Sequence, residues 1–478
     1  MEFLLSIRRR PKSSSHRNHK PKQVTHETVT LMVQNLSHEG RGVALYDEQT
    51  PDKAGKKVFI KFALPQEKVT AKIIKTHKRF EEAELVEVQS DSSAQRVTPI
   101  CQHFGHCGGC AVQHMHPDAQ IEFKQDVLKS HFKHFAGLDD IEWLEPIRSD
   151  KTDYRRRARM GVRWREKQQQ MVIGFREAGS NYLVPLQECS ILDQRVSAQL
   201  SELNAVFNTL ENKQAITHIE FALGDDEVAL LVRHVTHLSL QDIDKLLDFV
   251  KKYQWQLYFM PDQYQTLQRV DQENAIMRLH YALPEYALNM AFSPLDFTQV
   301  NAEVNQKTIA QACALLDLKH GERVLDLFCG LGNFSLPMAR CVGDTGQVIG
   351  VEGVEDMVQR AFENAATNDL QHVEFYTQDL MQDFSDQPWA KQGFDALLID
   401  PPRAGAEQVM HYVANFGAKR IVYVSCDPAT LARDAAILTQ QGYRLAKAGV
   451  MDMFTHTEHV ESMALFEKHV AQDHGLSL

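Results

Sequence analysis

The run Ile421-Val422-Tyr423-Val424-Ser425-Cys426 carries a thiol to the end of a series of β-formers, directly before the breaker Asp427-Pro428. This pattern predicts a buried strand ending at Ser425 or Cys426, and a helix from Thr430 to Gln441. In an open α/β sheet, ligands sit beyond the carboxyl ends of the strands. Cys426 therefore stands where a covalent nucleophile belongs. A lone cysteine is more often just a small buried hydrophobe, and its neighbours have to decide. Glu461, in Thr457-Glu458-His459-Val460-Glu461, precedes the last strand and is the candidate general base, with Glu458 its nearest rival. A second constellation is Cys101-Gln102-His103-Phe104-Gly105-His106-Cys107-Gly108-Gly109-Cys110. Its glycines let the backbone fold tightly round a metal, and Cys189 is the fourth thiol of the region. Zinc competes with an iron–sulfur cluster here, because His103, His106, His114 and His116 lie close by. Spacing leaves the two even.

The elements that must position Cys426 begin near residue 286 as strand–helix alternation. Arg323–Leu327 reads as a strand and Asn333–Arg340 as a helix, with Phe328-Cys329-Gly330-Leu331-Gly332 as the tight loop between them. Gln347–Glu352, Val373–Thr377, Phe394–Ile399 and Arg420–Val424 continue the series, and Tyr443–Val450 with Ser462–Glu467 closes it as an antiparallel pair. The expectation is a doubly wound sheet of about seven strands. Ser335 replaces the third glycine of the dinucleotide fingerprint, so the loop suits a cofactor without a pyrophosphate. Glu352 ends the second strand, where a carboxylate can hold both ribose hydroxyls, and Asp379 follows the third, near an adenine amine. An adenosine cofactor without a diphosphate points to S-adenosylmethionine. Asp400-Pro401-Pro402-Arg403 ends the fourth strand. Amine methyltransferases often carry an aromatic residue after such a Pro-Pro. Arg403 in that place turns the reading toward Cys426 as nucleophile. Thiolate addition to carbon 6 of uracil would activate carbon 5 toward a methyl donor, and a base would then remove the carbon 5 proton.

Upstream, residues 23–90 alternate as short strands punctuated by Gly and Pro, the pattern of a small β-barrel. The segments Asn35-Leu36-Ser37-His38-Glu39-Gly40-Arg41-Gly42-Val43-Ala44, Val58-Phe59-Ile60 and Ala63-Leu64-Pro65-Gln66-Glu67-Lys68-Val69 resemble a TRAM domain, an OB-like RNA-binding barrel. Residues 91–285 form an α+β central region. In it Pro117 opens a helix to about Phe135. Six arginines of Tyr154–Arg165, beside Tyr154 and Trp164, suit RNA contact, against the plainer reading of a solvated strand pair. Residues 1–22 hold seven Lys or Arg against one Glu, a flexible basic arm suited to phosphates, within a chain of net charge −11. No apolar run reaches membrane-spanning length, and eight cysteines in 478 residues are too few for a disulfide scaffold.

Taken together, the chain resembles the RNA 5-methyluridine methyltransferase family over nearly its whole length after the arm. The resemblance rests on Phe297-Thr298-Gln299-Val300-Asn301, Asp326-Leu327-Phe328-Cys329-Gly330-Leu331-Gly332-Asn333-Phe334, Asp400-Pro401-Pro402-Arg403-Ala404-Gly405 and Ser425-Cys426-Asp427-Pro428. It implies a class I methyltransferase domain over residues 286–478, a 4Fe-4S cluster on Cys101, Cys107, Cys110 and Cys189, and Cys426 and Glu461 as nucleophile and base. It also implies an S-adenosylmethionine site lined by Gln299, Phe328, Asn333, Glu352, Asp379 and Asp400. The family often has an amide residue where Asp379 stands. The member acting on tRNA lacks barrel and cluster, so the resemblance implies 23S rRNA as partner. The expectation is a cytoplasmic monomer with no membrane or DNA partner. The competing class is a catalytically silent RNA-binding protein, which an intact Cys426 and Glu461 disfavour.

Overall fold

The computed structural model describes residues 27–48, 50–90, 92–261 and 266–469. The arm expected over residues 1–22 lies outside them. The chain divides into two compact units, residues 1–96 and 97–478.

The first unit is a closed barrel. Its strands are β1 (Thr28–Leu36), β2 (Gly42–Leu45), β3 (Lys57–Lys61), β4 (Lys68–Thr76) and β5 (Phe80–Ser90), in the order β1-β2-β3-β5-β4. Val33, Val58, Ile60, Val69 and Ile73 fill it from alternate positions. Glu81 is buried in β5, where it accepts from Tyr46 Oη at 2.6 Å and Lys56 Nζ at 2.9 Å.

The second unit opens with α1 (Pro117–His131) and the two-residue β6 (Glu142–Trp143). Next come β7 (Arg157–Arg165), β8 (Gln170–Gly174), α2 (Gln194–Ser197), α3 (Leu200–Thr209), β9 (Ile216–Leu223), β10 (Val228–His234), α4 (Leu240–Tyr253), β11 (Gln256–Met260) and β12 (Gln268–Arg269). These strands form a six-stranded sheet, β12-β11-β10-β9-β7-β8. A hairpin, β13 (Leu279–Leu283) with β14 (Leu288–Phe292), leads into the third sheet. The boundary expected at residue 286 falls in the turn of this hairpin.

The remaining elements are α5 (Ala302–Leu316), β15 (Arg323–Leu327), α6 (Ser335–Val342), β16 (Gln347–Glu352), α7 (Glu355–Thr367), β17 (Val373–Thr377), β18 (Ala396–Ile399), α8 (Glu407–Met410), β19 (Arg420–Ser425), α9 (Pro428–Gln440), β20 (Tyr443–Met451) and β21 (Glu461–Lys468). The sheet has eight strands, ordered β17-β16-β15-β18-β19-β21-β20-β6. The expected count of about seven is corrected by β6, which joins from the central region and pairs in parallel with β20. The last strand, β21, inserts antiparallel between β19 and β20.

The central region also packs on this sheet. One apolar cluster runs from the six-stranded sheet into one face of the eight-stranded sheet, and Ile121, Leu128 and Phe132 belong to the cluster on its other face. No described helix is long and apolar enough to cross a membrane.

Candidate active site

Asp427 caps α9 by accepting from Ala429 N at 2.9 Å and Thr430 N at 3.2 Å, and Pro428 occupies the first helical turn. Ser425 Oγ accepts from Asp427 N at 3.1 Å. This turn holds Cys426 at the carboxyl edge. β19 and β21 pair antiparallel with Ser425 opposite Ser462. Cys426 directly follows Ser425, and Glu461, the first residue of β21, directly precedes Ser462. The thiol and the carboxyl thus stand at the ends of neighbouring strands.

The electrostatics agree with this placement. Burial pushes the Cys426 thiol up to about 11, helped by the charges of Glu461 and Asp400 and opposed by Arg403. Burial raises the Glu461 carboxyl to about 8, again with Asp400, while Lys124 and Arg403 oppose the rise. Asp400, at the end of β18, is raised to about 7 by burial. Asp400 and Arg403 thus act on both Cys426 and Glu461. Arg403 donates to His459 Nδ1 at 3.2 Å. Its loop is fixed by Ala406 N, which donates to buried Asp434 at 2.7 Å, and Asp434 also accepts from Tyr423 Oη at 2.6 Å.

Two strands away lies the cofactor loop. Phe328 adopts φ 64°, a left-handed conformation that a bulky residue enters only when its surroundings compel it. Here the N–H groups of Phe328 and Cys329 both donate to Val351 O, at 2.9 and 3.1 Å. Gly332 follows at φ 92°. Glu352 organises the loop from the next strand: Oε2 accepts from Gly330 N at 3.1 Å, and Oε1 from Gly353 N and Val354 N at 2.8 and 3.0 Å. Asn333 exchanges two amide hydrogen bonds with Asn305 and accepts from Tyr281 Oη at 2.8 Å. Gln299 lines a cleft with Tyr281 and Asn305, so these residues tie it to the same loop. Asp379 is exposed beyond β17, and its Oδ1 turns back to accept from Met381 N at 2.9 Å.

Asp326, which reasoning from the sequence misses, is buried at the root of this loop and accepts from Ser335 Oγ at 2.5 Å. Burial raises it to about 8, with Asp400 and Glu352 adding to the effect. Its Oδ1 is buried without a hydrogen-bond partner among the described residues. An acid-lined edge with an orphaned buried acceptor fits a cationic adenosine cofactor that brings donors of its own.

The arginine run is mostly spoken for. Arg156 pairs with Asp225 at 2.5 Å, Arg165 donates to Leu183 O at 2.5 Å, and Arg157 donates to the carbonyls of Leu295 and Asp296. Only Arg159 and Arg163 of β7 are exposed, because a strand turns alternate residues outward. These two are engaged as well, Arg159 with Glu220 at 3.5 Å and Arg163 with Asn181 O at 3.4 Å.

Cys101, Cys107, Cys110 and Cys189 are all free thiols. Burial raises Cys107 and Cys189, and raises Cys110 to about 12 with added effects from Cys189, Cys107 and Cys101. Yet among the described residues no group of three or more His, Cys, Asp or Glu is gathered as a metal site. The four thiols nevertheless lie near one another, since Cys101, Cys107 and Cys189 all act on Cys110. Buried neutral thiols have no mutual attraction, and only a cation would compensate them as thiolates. The loop itself is well held: Gly108 N donates to Arg176 O at 2.9 Å, and Cys189 N to Ser197 Oγ at 2.9 Å. Directly after Cys110, Ala111 N and Val112 N both donate to His456 O, at 2.9 and 3.1 Å. The cysteine loop thus touches the segment that leads to Glu461.

The sheet order and the acid-tipped glycine loop define a methyltransferase of the α/β class. The profile described as tRNA (Uracil-5-)-methyltransferase matches residues 116–469, and that of the TRAM domain matches residues 23–86. The chain is 60% identical to the 23S rRNA (uracil(1939)-C(5))-methyltransferase RlmD of Acinetobacter baylyi over 95% of its own length and 98% of the relative. It is 50% identical to the protein of the same name from Psychrobacter arcticus, over 92% and 91%. In fold it is similar to the Pyrococcus abyssi tRNA (uracil-54, C5)-methyltransferase solved with S-adenosyl-L-homocysteine, with TM-score 0.68, 22% identity and coverage of 92% and 100%. The chain belongs to the RNA (uracil-5-)-methyltransferase family.

Proposed function

We propose that this enzyme methylates carbon 5 of a uridine in 23S rRNA through a covalent cysteine adduct, at the position that its relatives' names give as uracil 1939. The observation that carries this reading is that Cys426 and Glu461 stand next to the paired residues Ser425 and Ser462 of neighbouring strands, with Asp400 and Arg403 acting on both.

The target base must leave its stack to reach this edge. Carbon 5 of uracil is a poor nucleophile. Cys426, as thiolate, forms a bond to carbon 6, and the electron pair of the carbon 5–carbon 6 double bond moves toward the carbon 4 oxygen. Arg403 favours the thiolate against burial. S-adenosylmethionine, when bound, supplies an electrophilic methyl group. Gln299, Phe328, Asn333, Glu352, Asp379 and Asp400 hold it, with Asp326 beneath the loop. Glu461 then takes the carbon 5 proton, the double bond re-forms, and the carbon 6–sulfur bond breaks to return the thiolate. Transfer of a labelled methyl group to 23S rRNA, mapped as 5-methyluridine with and without this gene, tests the assignment.

Cys101, Cys107, Cys110 and Cys189 would hold a 4Fe-4S cluster, which when bound would cross-link the 101–110 loop to Cys189. The purified protein is expected to be brown, with about four iron per chain, and Cys189→Ser should lose that iron. A colourless, fully active protein with one zinc would overturn the cluster assignment.

The TRAM barrel and the basic arm grip RNA in this reading. Removing residues 1–90 deletes no catalytic group. Binding to rRNA should weaken and its salt dependence become shallower, by about one unit of log–log slope for each phosphate that is no longer neutralised. A short RNA fragment should still be methylated. An unchanged slope would assign the phosphates to exposed Arg159 and Arg163 instead.

A further inference from the structure

Lys124 is fully buried in α1, an unusual place for a lysine. Its Nζ donates to Asp452 Oδ1 at 2.6 Å and to Phe454 O at 3.1 Å. Gln120, one helical turn earlier, donates to Met115 O and accepts from His456 N at 3.1 Å. The segment held in this way, residues 452–460, connects β20 to Glu461. A buried ion pair is poor value as a stabiliser, since an apolar pair of similar volume serves as well or better. Its retention here calls for another explanation.

We propose that Lys124 is a positioning residue for Glu461: from α1 it pins Asp452 and Phe454 in the segment that leads from β20 to the base's strand, and keeps a second cation besides Arg403 within reach of the base. This rests on the reading of Glu461 as base. The charged groups acting on Glu461 are Asp400 and Arg403 beyond β18, and Lys124 on α1. Cys426, just beyond β19, feels its charge, and Glu458 and His459 precede it in its own segment. Lys124 and Arg403 are the two cations that counter burial and Asp400.

The sign is fixed by this arrangement. A carboxyl raised by burial rises further when a nearby cation is removed, so less of it is ionised at neutral pH. In full-length Lys124→Met, the alkaline-rising limb of kcat should move to higher pH by roughly one unit, with about a tenfold loss at pH 7. The methylated RNA–protein adduct should persist longer, because its breakdown needs the base. Should Lys124→Met fold poorly, Lys124→Met/Asp452→Leu removes both charges and keeps the volume apolar. It should fold well and still show the displaced limb. A well-folded double variant with the parental pH profile and adduct lifetime would make the pair merely structural and overturn the proposal. Glu461→Gln measured alongside separates the two failures. If it stalls as an adduct while the Lys124 profiles stay put, only this proposal falls; if it turns over normally, the base assignment falls with it.

Discussion

Glu461→Gln is expected to stop the enzyme after methyl transfer and before release. The amide keeps the shape of the carboxyl and removes its basicity. Cys426 can still add to carbon 6 and the methyl group can still be accepted, but the proton on carbon 5 has no acceptor. Turnover should fall by about 10²–10⁴-fold, the usual worth of a positioned general base. A slow-migrating protein–RNA band should accumulate on a denaturing gel and carry label from the methyl donor. Glu461 is raised to about 8 and acts only after methyl transfer, so the parental kcat should climb as the pH passes upward through that value. In Glu461→Gln that limb should be absent. Normal turnover by the variant would move the role to Glu458.

Cys426→Ala should be worse still and leave no band at all. Without the thiolate nothing adds to carbon 6, and carbon 5 is never activated. The loss should reach about 10⁴-fold or more, the scale seen when the nucleophile of an interdependent catalytic unit is removed. The two substitutions differ in what they trap rather than in how inactive they are. Binding of S-adenosylhomocysteine should be unaffected in Cys426→Ala, because the glycine loop is built on β15 and β16, away from β19. An adduct formed by Cys426→Ala would remove Cys426 from its assigned role.

The thiol at the end of β19 was legible because four β-formers followed by Asp427-Pro428 leave few alternatives. Its partner was legible only as a nearby acid. That Glu461 comes to the edge where Cys426 stands depends on β21 inserting between β19 and β20, and strand order is a tertiary fact. Glu352 and the glycine loop could be read from position. Asp326 was hidden by its setting, although an acid inside Val324-Leu325-Asp326-Leu327 was a signal in itself. Lys124 left a similar trace, since it shares the helical stripe of Ile121 and Leu128, where an apolar residue belongs. In the barrel, β5 went unnamed because its glutamates disguise a strand whose one buried acid is satisfied by Tyr46 and Lys56. β6 is two residues long and gives no periodicity to read. The partners of the arginine run were not legible, because charge density says nothing about which carbonyls and acids lie within reach.

The insertion of β21 also sets a timetable for the growing chain. A ribosome makes β6, α1 and the cysteine loop more than three hundred residues before the strands and turns they dock on: Lys124 and Asp452 are 328 positions apart. Until the final strand has emerged, β19 lacks its antiparallel neighbour, and the apolar face of α1 has only part of its seat. Pairings of such sequence separation form late and leave apolar surface and strand edges open meanwhile. The barrel, with all its pairings inside residues 28–90, can be complete long before. Nascent chains stopped short of residue 461 should therefore carry a protease-resistant barrel joined to a protease-sensitive remainder, and the catalytic pair should assemble only when nearly the whole protein has been made.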